Sequence, residues 1–305
     1  VCLAIGAAPA QQEGPGKNTA GNSRASRAGQ FRAITSRSSF NDINRSDARA
    51  ALRAWFNVMG REKGITVDSE VDIIDSVDEI RERLRSQSVD LVTLTAADYL
   101  ELESSAMLTP VLTDARDGQG AALYSYVLLV GPSFGTGTIA GLRGKNVLIS
   151  SRTGANTGAA WMDVVLAKEK LGRADSFFAS VRAVAKPQAC ILPLFFGAVD
   201  ACVVDEVNLN MAKEMNPQLG HLQVLARSRP IIESVISTPL EAHPMQKDFI
   251  DAMLSLHQNP RGRQLLLVFK TERLVRLRPG DLDSARELWR DYYRLTGSPS
   301  HGPVS

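Results

Sequence analysis

From Phe31 onward, short apolar runs alternate with stretches whose apolar residues recur every three or four positions, the pattern of strands and amphipathic helices in an α/β protein. The expected strands are 31–35, 67–74, 90–94, 123–130, 147–150, 181–185, 201–204, 221–226 and 233–237. The expected helices are 47–62, 77–85, 157–171, 187–196, 207–214, 243–256, 261–269 and 282–295. In the first helix Ala51, Leu52, Trp55, Phe56 and Met59 form one stripe, Ser46 is the expected cap, and Lys63-Gly64 ends it.

The segment 146–158, NVLISSRTGANTG, carries the most information. An apolar strand breaks into Ser, Thr, Asn and Gly immediately before a long helix, which gathers small donors and free N–H groups at a helix N-terminus. Such a turn can grip an oxyanion through dipoles alone, without a formal positive charge. The competing interpretation is a plain helix cap that closes a βα loop. The segment alone does not decide between them.

Length and composition narrow the class. A chain of 305 residues with 44% hydrophobic residues can build two domains with real cores. The chain opens VCLAIGAAPA, an apolar run ending in an A-x-A-like site, which is expected to be the remnant (1–10) of a secretory signal. Residues 11–30 are Gly, Ala, Ser, Asn and Arg without periodicity and are expected to be a disordered leader, as is the polar tail 298–305. Cys2 leaves a lipid anchor open as a lesser alternative. Lys17, Arg24 and Arg27 against Glu13 account for the whole net charge of +2, so the body is neutral. A neutral body lacks the basic field of nucleic-acid binders, and beyond the leader no stretch approaches a membrane span. Cys190 and Cys202 could pair in an oxidising compartment or stay as buried thiols.

Motifs for catalysis are missing. Gly144-Lys145 lacks the preceding glycine spacing and the following Ser or Thr of a P-loop. His221, His243, His257 and His301 are scattered, with no partner at metal-ligand spacing, and no G-x-S-x-G elbow occurs. No cofactor, metal or catalytic residue is expected.

Three further segments stand in register: SQSVDLVTLTAADYL at 86–100, IAGLRGKNV at 139–147 and GAVDACVVDE at 197–206. Together they resemble the phosphate/phosphonate-type periplasmic solute-binding proteins of ABC importers, over 31 to about 269. The resemblance implies a type 2 periplasmic-binding fold, two α/β lobes with mixed sheets joined by two crossing strands. Lobe 1 is expected at 31–122 with 228–297, and lobe 2 at 123–227, with ligand between them under a hinge motion. This agrees with the rule that open α/β sheets bind ligands beyond the carboxyl ends of their strands.

The resemblance also implies site residues. The second lobe of the family grips the oxyanion with a hydroxyl-rich turn that matches Ala155, Asn156 and Thr157; because Ala155 lacks a hydroxyl, Ser150, Ser151 or Thr153 are expected to supply donors as well. Tyr99 and Thr95 match the family's aromatic and hydroxyl from the first lobe, although Thr95 with Asp98 also makes a capping pair. Ser38, Ser39 and Phe40, in the loop after the first strand, and Tyr124 and Ser125, at the first crossing, are expected to line the cleft. Asp205 matches a carboxylate that reaches a ligand ammonium or phosphoryl proton, or it caps the helix that follows. Lys186 stands where the family often has His, and either touches the anion or lies on the surface. The implied partners are a small oxyanion of the phosphate, phosphite or phosphonate class and an ABC permease. A sensor-kinase ectodomain is the alternative docking partner, and an enzyme on the same fold a more distant one. The mature chain is expected to be a monomer, exported, and not membrane-spanning.

Overall fold

A computed structural model describes residues 31–297 apart from 41–43, 65–71, 104, 106, 117–119, 136 and 242. The expected signal remnant, leader and tail lie outside the described residues.

Two mixed sheets carry the chain. The first takes β1 (Ala33–Ser36), β2 (Asp72–Ile74), β3 (Leu91–Thr95) and β4 (Leu108–Ala115) from the first part of the sequence. Later segments add β10 (Ser234–Pro239) and β11 (Arg273–Arg276), in the order β11-β4-β10-β3-β1-β2. The strands β1, β2 and β3 run parallel, while β10 is antiparallel to β3 and β4. The second sheet is β7-β6-β8-β5-β9, built from β5 (Tyr126–Val130), β6 (Asn146–Ile149), β7 (Ser180–Ala183), β8 (Ala201–Asp205) and β9 (Gln223–Arg227). Its β6, β7 and β8 are parallel, and β5 is antiparallel to β8 and β9. The chain leaves the first sheet after Ala115 and returns to it at Ser234, so the second sheet is inserted between β4 and β10.

Helices cover the faces. α1 (Arg45–Lys63) places Trp55 and Phe56 against α8 (Gln246–Ser255) and α9 (Pro260–Val268), with Phe31 stacked on Phe249 at 4.1 Å. Asn44, not Ser46, caps α1, because its side chain accepts from the Asp47 N–H; Gly64 stops it at φ 65°, as the Lys63-Gly64 signal predicts. α2 (Val77–Arg85) and α3 (Ala96–Glu103) follow β2 and β3. In the second sheet α4 (Thr157–Lys168), the short α5 (Ala174–Phe177), α6 (Gln188–Phe195) and α7 (Glu206–Met215) are the connections. The last helix, α10 (Asp283–Thr296), packs on α3 of the first sheet and α4 of the second, with Trp289 1% exposed at the join. Among the described residues no helix is long and apolar enough to cross a membrane.

Some elements escape the sequence pattern. β4 contains Pro110, which cannot donate to a ladder and sits where the β10 register shifts between Ile236 and Ser237. β11 and α5 are only four residues each, too short to show a period. The choice left open for the cysteines is settled: Cys190 of α6 and Cys202 of β8 form a disulfide, with Cα atoms 5.7 Å apart, in the core of the second sheet.

Candidate functional site

The parallel strands β1 and β3 in one sheet and β6 and β8 in the other end at Ser36, Thr95, Ile149 and Asp205. The loops that follow β1 and β6 meet. The Gly154 N–H donates to the Ser38 carbonyl at 2.7 Å, and a Cβ on Gly154 would stand 3.1 Å from Ser38 Cα, so a larger residue would push the loops a few tenths of an ångström apart. Hydroxyl-bearing and charged side chains collect on both sides of this seam.

On the first sheet's side Asp98 is the centre. Its carboxylate accepts from the Ser36 hydroxyl at 2.8 Å and from the Ser38 hydroxyl. Thr95 caps α3 by accepting from the Asp98 N–H at 3.1 Å, so its capping alternative is realised. Tyr99 is 2% exposed, and its hydroxyl donates to Glu103, which Arg286 holds at 2.6 Å; the phenol is thus committed to an ion pair of the fold. Phe40 is buried with its ring 6.3 Å from that of Phe269. The Ser39 hydroxyl oxygen is buried with no hydrogen-bond partner among the described residues.

A second cluster joins the two sheets, centred on Glu233, 3% exposed, one residue before β10 of the first sheet. The Tyr126 hydroxyl donates to Glu233 Oε1 at 2.6 Å and accepts from the Arg152 N–H at 3.2 Å. Arg152 Nε lies 3.3 Å from Glu233 Oε2, and its guanidinium stacks 3.8 Å above the Tyr124 ring. Tyr124 in turn donates its hydroxyl to Asp114 at 2.6 Å. Burial pushes the Glu233 carboxyl up to about 7, against the lowering effects of Arg152 and of hydrogen bonds from Tyr126 and Thr157. Burial likewise raises the Tyr124 and Tyr126 phenols, helped by Asp114 and Glu233 respectively. Burial works against the Arg152 charge, but Tyr124, Glu233, Asp205 and Asp114 outweigh it and the guanidinium pKa is raised.

The predicted oxyanion turn is divided in its duties. Ser151 accepts from the Gly158 N–H at 3.1 Å, a cap of α4, and the buried Ser150 sends its N–H to the Val203 carbonyl at 2.8 Å. Gly158 is needed where it stands, since a Cβ there would meet the Tyr126 ring at 3.0 Å. Asn156 is in the left-handed region at φ 53°, half-buried, and its side chain makes no cap bond. Thr157 is 3% exposed, and its hydroxyl favours the charged form of Glu233. Thr153, 7% exposed, has a buried hydroxyl with no partner among the described residues. Asp205 takes its capping alternative, accepting from the Asn208 N–H at 3.0 Å, while Glu206 pairs with Arg227. Ser125 is half-buried and its carbonyl accepts from the Glu206 N–H. Lys186 is exposed.

The structure therefore gathers Ser38, Ser39, Thr153, Asn156, Thr157 and Tyr124 near the seam, and gives Thr95, Tyr99, Ser151 and Asp205 structural partners. Sequence reasoning passed over Asp98, Tyr126, Arg152 and Glu233. The signal for Glu233 was present: a lone acid, after Arg229-Pro230, at the entry to an apolar strand. A separate cavity of about 220 Å³ lies between α4, α10 and β9, but its cations Lys168 and Arg229 are paired with Asp291 and Glu287. Among the described residues no group of three or more His, Cys, Asp or Glu side chains is placed to hold a metal ion.

Comparisons with known proteins agree with this architecture. XAC2383 from Xanthomonas citri, solved with a chloride ion, is similar at 17% identity and a TM-score of 0.61, over 88% of this chain and 99% of that one. A binding-protein component of an ABC phosphonate transporter from Pseudomonas aeruginosa is similar at 13% identity and a TM-score of 0.60, over 90% of each chain. PhnD1 from Prochlorococcus marinus, in complex with methylphosphonate, is similar at 14% identity and a TM-score of 0.57, over 85% of this chain and 97% of that one. At these identities the likeness establishes the fold, the two-lobed type 2 periplasmic-binding architecture. No curated protein matches. The sequence profile of the ABC transporter phosphonate periplasmic substrate-binding proteins matches residues 40–282, and the chain belongs to that family.

Proposed function

We propose that the chain is an exported receptor that captures a small oxyanion of the phosphate, phosphite or phosphonate class between two hinged lobes and delivers it to an ABC permease. Lobe 1 is 31–122 with 228–297 and lobe 2 is 123–227. The observation that carries this reading is the seam itself. Loops from the carboxyl ends of β1 and β6 touch through Ser38 and Gly154, and the hydroxyls of Ser39, Thr153 and Thr157 stand there beside the N-terminus of α4. Family membership and the methylphosphonate held by the similar Prochlorococcus protein favour the same ligand class.

The mechanism is physical. Aligned N–H and O–H dipoles replace the ligand's water, and closure of the lobes excludes solvent and strengthens those bonds. Differential affinity for the closed form drives the motion. With Asp98 and Glu233 both in the seam, a ligand that brings a proton or an ammonium group meets less repulsion than a bare dianion.

A thermal-shift panel of phosphate, phosphite, methylphosphonate, 2-aminoethylphosphonate, sulfonates and carboxylates tests the ligand class. A ligand at a hundred times its Kd adds about 2.7 kcal/mol of stability. Silence from every phosphorus oxyanion, with a response to another class, would overturn the proposal.

A further inference from the structure

The half-buried Arg152 and the buried Glu233 form an ion pair that is poorly made. Their 3.3 Å contact lacks hydrogen-bond alignment, and both Arg152 Nε and Glu233 Oε2 are buried without completing a hydrogen bond. The terminal nitrogens of Arg152 find no acceptor among the described residues, although the guanidinium is held flat on the Tyr124 ring. A guanidinium fixed on one face, with its two-nitrogen fork unclaimed, has the geometry that takes two oxygens of one tetrahedral anion. Next in sequence is Thr153, whose buried hydroxyl is also unclaimed. The buried Thr157 hydroxyl also favours the Glu233 carboxylate, so the Tyr126, Arg152 and Thr157 side chains of the second sheet's elements face one side chain of the protein itself.

We propose that Arg152 is the cation that anchors the oxyanion in the cleft, and that Glu233 is its resting partner, displaced from Arg152 and protonated when the ligand binds. This rests on the oxyanion reading above and deepens it by naming the specificity-determining pair. Charge balance requires the proton. Glu233 faces Tyr126 from β5, Arg152 from the loop after β6, Thr157 from α4 and Asp205 from the end of β8. Arg152 also feels Asp114 and Tyr124, and Arg116 lies 5.6 Å from the Tyr124 ring. Three carboxylates against two guanidiniums leave the cluster negative before any ligand arrives. An anion bound at Arg152 takes the cation away from Glu233 and sets a second negative charge beside it; both effects draw a proton onto the Glu233 carboxyl.

The test is calorimetric titration of methylphosphonate and inorganic phosphate into the full chain at pH 6 and pH 8, in buffers of different ionisation enthalpy. Wild type is expected to take up more protons than Glu233→Gln with the same probe; the ligand's own protonation is common to both and cancels in the difference. Glu233→Gln is expected to bind more tightly than wild type at pH 8. Arg152→Ala is expected to lose at least ~30-fold in affinity and Arg152→Lys about 10-fold, the range for charge-assisted bonds to an anion. If Arg152→Ala stays within twofold of wild type while Thr157→Ala binds several-fold more weakly, the oxyanion cleft stands and the role of Arg152 is overturned. Should Arg152→Ala fail to fold, Arg152→Lys and the wild-type proton count decide: equal uptake by wild type and Glu233→Gln overturns the exchange. If neither probe binds wild type at either pH while another class does, the oxyanion reading falls, and this proposal with it.

Discussion

The two buried carboxylate clusters at the seam answer the same chemical problem differently. Around Asp98 the donors are neutral hydroxyls, from Ser36 and Ser38, with a capped helix start behind them. Around Glu233 a phenol donates a hydrogen bond and a guanidinium stands as an ion-pair partner. The first carboxylate takes two hydroxyl hydrogen bonds and stands in the first turn of α3. The second depends on one cation, so its charge state can respond to what enters the cleft. On the proposal above, ligand charge is sensed at the Arg152–Glu233 pair that joins the two sheets, while the hydroxyls around Asp98 supply shape and contacts.

Glu233→Ala should sharpen this contrast most. Removing one partner of a buried ion pair leaves Arg152 uncompensated, and a loss of about 3–5 kcal/mol is expected in urea denaturation. A loss below ~1 kcal/mol would show that Arg152 is already solvated by something other than Glu233. Asp98→Ala is expected to cost less, about 1–3 kcal/mol, because only hydroxyl donors are orphaned. Equal costs for the two substitutions would erase the distinction between the sides.

The pH dependence gives a finer test. Glu233 is raised in the folded chain to about 7 from 4.5, so it binds its proton more tightly folded than unfolded. Its contribution to stability is present in full below about 4.5 and disappears as pH rises through about 7. Wild type should therefore lose stability between pH 5 and pH 8 relative to Glu233→Gln, read from denaturation midpoints at each pH. Parallel curves for the two proteins would place the Glu233 proton outside this window.

The smallest effect on folding is expected from Gly154→Ala. The added methyl meets Ser38 Cα at 3.1 Å and Ser38 O at 3.2 Å, so it holds the two loops apart while each lobe keeps its core. Stability should change by less than ~1 kcal/mol, as at other exposed positions, while affinity for any ligand found falls several-fold. An unchanged affinity would mean that the seam does not need to close this far.

Much of the fold is legible in the sequence because amphipathic period and cap chemistry agree along most of the chain. α2 begins and ends where the pattern places it, with Ser76 capping it through the Glu79 N–H. β4 is hidden because Pro110 argues against a strand, and only the tertiary bulge opposite Ile236 and Ser237 reconciles the two. The site is less legible for a different reason. Capping and ligand gripping use the same residue types, so Thr95, Ser151 and Asp205 read equally well either way until their partners are seen. Arg152 and Glu233 meet across 81 positions of sequence, a juxtaposition that no local pattern encodes.

The Cys190–Cys202 bridge has a practical corollary for all of these measurements. It staples α6 to the strand that ends at Asp205, one of the four strand termini that form the cleft, and spans 12 residues. Chain-entropy arithmetic assigns a crosslink of that span about 3 kcal/mol, comparable to the largest substitution effects expected above. Material harvested from a reducing cytosol would start with that deficit, and its binding curves would describe a looser molecule than the disulfide-bonded one.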